Sequence, residues 1–146
     1  MLPHHKHKIP LTTHPETYIH AVTLATDPSA PWLVFSNSLL TNLSLWDTLL
    51  PYFLAPQSPS TTPPTPRTYN LLLYDQRGHG LSPVPLTPCT INQLASDIAT
   101  ILSHLNIPQV HSVIGVSQGG ATALAFGSMY PSKMKSVIAC QNSRGE

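Results

Sequence analysis

Charged side chains are scarce: 9% of the 146 residues are Asp, Glu, Lys or Arg, and the formal charge is +1 with histidine neutral. That balance excludes the basic footprint of a nucleic-acid binder and a charged funnel for acidic substrates. Cysteine is almost absent too. Cys89 and Cys140 lack CxxC spacing, so neither a disulfide framework nor a zinc site follows, and reduced thiols in a cytoplasmic protein are expected. No apolar run reaches signal-peptide or membrane-spanning length. GxGxxG and P-loop patterns are missing from every strand-to-helix turn. No metal, cofactor, nucleic acid or membrane is therefore expected as a partner.

Proline, by contrast, is abundant. Five of the 16 prolines fall in residues 55–66, a stretch without a large apolar side chain that reads as a solvated insertion with local polyproline character. At the N-terminus His4, His5 and His7 interleave with Lys6 and Lys8, the pattern of a solvated tip. Residues 1–16 are accordingly expected to be a flexible segment, and 17–146 a single domain carrying the 55–66 insertion.

Apolar patterning supplies the elements. Thr17 to Leu24 alternates between Pro15 and Asp27-Pro28, as an early strand or the second half of a hairpin does. Trp32 to Phe35 and Leu71 to Tyr74 are continuous apolar runs, the mark of strands buried on both faces. Leu43 to Leu50 predicts a short helix ending at Pro51. Thr90 and Gln93 form a capping box ahead of Ile91, Leu94, Ala95, Ile98, Ile101, Leu102 and Leu105 at helical spacing. Val110 to Ile114 is a strand, Ala121 to Met129 a helix, and Ser136 to Cys140 a last strand. This alternation implies an α/β fold: a three-layer α/β/α domain with a mainly parallel sheet.

Between strand and helix lies Gly115-Val116-Ser117-Gln118-Gly119, followed by Gly120. A serine on such a tight turn stands exposed, its flanking glycines remove Cβ clashes, and the next backbone N–H can face a developing oxyanion. The other reading of the same residues is a tight turn in which the Ser117 hydroxyl caps the helix. Gly120 would permit close helix packing. A second oxyanion donor is expected from the loop after the earlier buried strand, Ser36-Asn37-Ser38-Leu39-Leu40, most plausibly the Leu39 amide.

These residues, with Leu43-Ser44-Leu45-Trp46-Asp47 and Tyr74-Asp75-Gln76-Arg77-Gly78-His79-Gly80-Leu81-Ser82-Pro83, resemble the α/β-hydrolases and, among them, the 3-oxoadipate enol-lactonases. The similarity runs from about Thr17 to Cys140. It implies hydrolysis of a small enol-lactone or related ester in aromatic-compound catabolism. Ser117 would be the nucleophile, the Leu39 and Gln118 amides the oxyanion hole, and Ser38 and His79 neighbours of the pocket. Gln118 stands where those lactonases commonly have leucine, and Leu40 where glycine is usual.

Every histidine precedes Ser117, whereas the family's order is serine, acid, histidine. The acid and base are thus expected beyond Glu146, in a C-terminal part of the fold missing from this chain, with self-association through an uncovered sheet edge as a consequence. Asp75 and Arg77 are expected to pair or to bond backbone. His111, on the incoming strand, would lie about 20 Å from Ser117 along an extended backbone, and His104 reads as a surface residue. The functional expectation is a serine hydrolase of small esters or lactones, impaired as this chain alone. The alternatives are another carboxylesterase of the same fold and a non-catalytic pseudo-hydrolase or binding module.

Overall fold

A computed structural model describes residues 4–11, 14–25, 27–54 and 68–140. Six strands form one sheet: β1 (His5–Leu11), β2 (His14–Leu24), β3 (Trp32–Ser36), β4 (Asn70–Tyr74), β5 (Val110–Val116) and β6 (Met134–Cys140), in spatial order β1-β2-β4-β3-β5-β6. β3, β4, β5 and β6 run parallel, while β1 pairs with β2 and β2 with β4 in antiparallel fashion. The helices are α1 (Leu50–Leu54), α2 (Ile91–His104) and α3 (Gln118–Met129). None of the described helices is long and apolar enough to cross a membrane. The 55–66 insertion falls outside the described residues.

The period of two along each strand divides the core. Val34, Leu72, Tyr74 and Val113 pack on one face against Ala95, Ile98, Ile101 and Leu102 of α2 and Ala123 and Phe126 of α3. Leu33, Phe35, Leu71, Leu73 and Ile114 point the other way, onto Trp46 and the partly buried Phe53 and Leu54 of α1. β4 is buried along its whole length, as its unbroken apolar run requires. At the far side β6 is an edge strand with Ile138 48% exposed.

Two boundaries differ from expectation. Residues 5–11 are no flexible tip but a sheet strand, because Ile9 and Leu11 alternate with exposed Lys8 and Pro10 and are 0% and 2% exposed against the α2 face. Lys8 places its ammonium 4.0 Å above the Tyr18 ring on the paired strand, a cation–π contact that uses the solvent-facing charge. In the 43–50 region the chain makes only a 3₁₀ turn, Leu43–Trp46, and Pro51 sits inside the first turn of α1 instead of closing a helix. A proline costs nothing there, since its missing N–H would have had no helical partner.

The α2 cap matches its sequence signature. The Thr90 side chain accepts from the Gln93 amide, and the Gln93 side chain accepts from the Thr90 amide.

Candidate active site

β5 ends at Val116 and α3 begins at Gln118, so a single residue turns the chain. That residue, Ser117, has φ 55° and ψ −120°, a conformation a side chain adopts only under constraint. Two ties hold it: its N–H donates to the Cys140 carbonyl of β6 (2.8 Å), and its carbonyl accepts the first helical bond, from Ala121 (3.1 Å). The Ser117 side chain makes no capping bond to α3. The hydroxyl is exposed and free of hydrogen bonds among the described residues, so helix capping is not its role.

The flanking glycines are required by approach, not by φ. A Cβ on Gly115 would lie 2.1 Å from the Gly119 carbonyl oxygen, and one on Gly119 would lie 2.1 Å from the Ser36 and 2.5 Å from the Asn37 carbonyl oxygens. Gly120 is different. Its Cβ would meet only ordinary contacts of 3.4 to 3.6 Å, so close packing does not demand glycine there. The start of α3 therefore sits directly on the backbone of the loop that leaves β3.

That loop is anchored beneath. The buried Asn37 donates from Nδ2 to the Tyr74 carbonyl (2.8 Å) and accepts at Oδ1 from Trp46 Nε1 (2.7 Å). Ser36 Oγ and the Tyr74 hydroxyl lie 2.9 Å apart, and burial pushes the Tyr74 phenol well up, keeping it neutral. Thr41 closes the turn, with its N–H and hydroxyl both donating to the Ser38 carbonyl. Leu40 lies in the left-handed region, φ 61°, a conformation that favours glycine. Leu39 is 52% exposed. The amides of Leu39 and Gln118 have no acceptor among the described residues; for Gln118 this follows from its place at the start of a helix.

The loop after β4 touches both structures. Leu40 N–H donates to His79 Nε2 (3.0 Å), and His79 Nδ1 lies 2.9 Å from the Arg77 carbonyl, which can only accept. Both ring nitrogens thus serve the backbone, and His79 makes no bond to Ser117. Gln76 Nε2 donates to the Ser38 carbonyl (3.3 Å) and to Gln118 Oε1 (2.9 Å). Gln76 was not among the residues singled out from sequence, and nothing in its type or spacing would have marked it.

Asp75 and Arg77 do not pair with each other. The buried Asp75 carboxylate accepts from the Leu43 and Leu81 amides, at 2.8 and 2.9 Å. Arg77 instead makes a two-pronged pair with Asp97 of α2, at 2.6 and 2.7 Å. Burial pushes the Asp97 carboxyl up against the pull of that guanidinium, while the bond to Asp97 holds Arg77 more firmly charged. His111 hydrogen-bonds its neighbour Ser112 and stands edge-on to Tyr69, and His104 is exposed on the last turn of α2. Among the described residues no three His, Cys, Asp or Glu side chains gather as a metal site.

Comparison with known proteins agrees with this geometry. The sequence model of the α/β-hydrolase fold matches residues 31–144. The chain is 39% identical over 108 residues to 3-oxoadipate enol-lactonase 2 of Acinetobacter baylyi, covering 74% of this chain and 36% of that protein. For 3-oxoadipate enol-lactonase 1 of the same organism the values are 35% over 115 residues, 79% and 38%. The structure superposes on the enol-lactonase from Burkholderia xenovorans LB400 with a TM-score of 0.65 at 33% identity, covering 83% of this chain and 42% of that one. A hydrolase from Pseudomonas aeruginosa PA01 gives 0.77 at 25%, covering 97% and 48%. The chain therefore spans little more than a third of the two curated lactonases. A strained serine between a parallel strand and a helix, set against the loop of the neighbouring strand and matched in sequence through residues 31–144, makes this chain a member of the α/β-hydrolase family.

Proposed function

We propose that this chain carries the nucleophile and oxyanion hole of a serine hydrolase that opens a small lactone or cleaves a small ester. The observation that carries the reading is Ser117 itself: exposed, uncapped and held at φ 55°, beside the free amide of Gln118 and the loop of Leu39. Ser117 Oγ would attack the carbonyl carbon, and the tetrahedral oxyanion would accept from the Leu39 and Gln118 amides. Collapse expels the ring or alcohol oxygen and leaves an acyl-serine, which water then hydrolyses. Similarity to two enol-lactonases favours an enol-lactone over a simple ester. The chemistry is compatible, because a delocalised enolate leaves more readily than an alkoxide.

A hydroxyl without a base is a poor nucleophile. No histidine bonds Ser117 among the described residues, and His79 has both nitrogens engaged. Ser117 in this chain should therefore react several orders of magnitude more slowly than a serine with its full triad. The test is labelling with a fluorophosphonate, with Ser117→Ala as control, followed by turnover of an enol-lactone against simple acyl esters. Slow labelling confined to Ser117 supports the reading. Equal labelling of both proteins, or none on prolonged exposure, favours a non-catalytic binding module. Labelling at the rate of intact lactonases would refute the impairment, and faster turnover of acyl esters would point to a carboxylesterase.

A further inference from the structure

We propose that His79 and Gln76 are positioning residues of the oxyanion hole: a neutral, Nδ1-protonated His79 pins Leu40 in its left-handed conformation, and Gln76 ties that loop to the serine elbow. The proposal rests on the hydrolase reading of Ser117, Leu39 and Gln118 given above.

The hydrogen bonds define the tautomer. Arg77 offers a carbonyl to Nδ1, so Nδ1 carries the proton, and Nε2 must accept because the Leu40 amide donates to it. Gln76 Nε2 lies 3.4 Å from the same Nε2, a longer contact, since its two hydrogens are directed at Ser38 and Gln118. With the Leu40 N–H on its one lone pair, Nε2 has no place for a proton. Leu40 needs this hold, since φ 61° is unfavourable for a side chain with a Cβ, and the residue immediately before it carries the proposed oxyanion amide.

Gln76 completes the link. One NH₂ group reaches the Ser38 carbonyl on the loop and Gln118 Oε1 on the elbow, so the two proposed donors, Leu39 and Gln118, are bridged through their neighbours and their own side chain. Gln76 is 2% exposed, and its Oε1 has no hydrogen-bond partner among the described residues. A proton on Nε2 would set it, as a donor, against the Leu40 N–H. Rotating the Gln76 amide end for end would then bring the idle oxygen to that proton, and would break both ties to Ser38 and Gln118.

Among the described residues no other ionisable group competes for the ring. The Asp75 carboxylate is occupied by the Leu43 and Leu81 amides, Arg77 by Asp97, and residues 37–42 and α3 contain no charged side chain. His4, Lys6 and His20 line a groove together with Asp75, Gly80 and Leu81, and His79 is not part of that lining.

Nitrogen and amide NMR of the full chain tests this directly. The expected result is an Nδ1–H tautomer in the folded chain, with the amides of Leu39, Leu40 and Gln118 shifting together in His79→Phe while Leu72 in the sheet stays still. An Nε2–H tautomer, or a Leu40 amide indifferent to loss of the imidazole in His79→Phe, overturns the proposal. In fluorophosphonate labelling His79→Phe should slow Ser117 by about tenfold or more, as a displaced oxyanion donor does, and His79→Asn, which restores an acceptor, should recover part of the rate. An unchanged rate in His79→Phe also overturns it. Should Ser117→Ala label like the wild type, the hydrolase reading fails, yet the tautomer and the linked amide shifts still decide whether His79 holds the loop.

Discussion

Replacing Gly119 by alanine should be far more damaging than the same change at the adjacent Gly120. At Gly119 the new Cβ would sit 2.1 Å from the Ser36 oxygen and 2.5 Å from the Asn37 oxygen. Carbon–oxygen contacts settle at about 3.3 Å or more, so the elbow and the loop must separate by about 1 Å. Neither side yields easily. Ser36 is the last residue of β3, paired with Gly115 of β5 and bonded through its hydroxyl to Tyr74 of β4, and Asn37 is clamped by Tyr74 and Trp46. Overpacking against mobile side chains costs about 1–3 kcal/mol, and a clash with anchored backbone belongs at or above the top of that range. At Gly120 the contacts are ordinary, and alanine in a helix gains up to about 1 kcal/mol over glycine.

The two variants should thus differ by about 3–4 kcal/mol, a large share of the roughly 5–15 kcal/mol that stabilises a typical domain. Urea unfolding followed by tryptophan fluorescence measures it, since Trp46 is buried on the affected loop. Should Gly119→Ala fall within about 1 kcal/mol of Gly120→Ala, the close approach of helix and loop would not be a stability determinant.

Ser117→Gly should be more stable than Ser117→Ala by about 1 kcal/mol, because φ 55° and ψ −120° strain any Cβ while glycine loses only part of that gain through its freer unfolded chain; equal urea midpoints would mean the turn is unstrained. Arg77→Met should cost about 3–5 kcal/mol, since it leaves the Asp97 carboxylate, 3% exposed, without its partner, and adding Asp97→Leu should restore much of the loss. Failure of the second change to help would place the cost elsewhere than in an uncompensated charge. Burial, with His5, His104 and His20 nearby, pulls the His7 imidazole below its ordinary value. The folded chain then binds fewer protons than the unfolded one, so stability is complete above the ordinary imidazole range and declines as pH falls through it. His7→Gln should flatten this decline in unfolding measured between neutral and mildly acidic pH, and an identical slope in both proteins would exclude His7 as a source.

Local signals were legible where one segment contains both partners of an interaction. Thr90 and Gln93 cap each other within four residues, and the buried runs of β3 and β4 need no knowledge of their neighbours. β1 was not legible. Its two buried residues, Ile9 and Leu11, are outnumbered by His, Lys and Pro, and they become a strand only because β2 and α2 lie beside them. Pro51 misled for a related reason: a proline closes one helix and opens another with the same chemistry.

The site shows the same division, and the sheet explains it. β4, β3 and β5 are consecutive parallel neighbours, so the loops leaving their C-terminal ends must emerge side by side. Gln76 and His79 follow β4, Leu39 and Leu40 follow β3, and Ser117 follows β5. Strand order therefore brings these loops together, but the alternation of elements does not give that order, and the expectation that Ser117 faces the loop of Leu39 came with the strand–serine–helix pattern. Which side chain reaches which amide is decided on a finer scale, by a ring rotation that puts His79 Nε2 on Leu40 and an amide rotation that puts Gln76 on Ser38 and Gln118. Those contacts join residues 38 to 42 positions apart. Any of several polar residues after β4 would have satisfied the pattern, and only packed geometry distinguishes a histidine that holds the loop from one that lines the pocket.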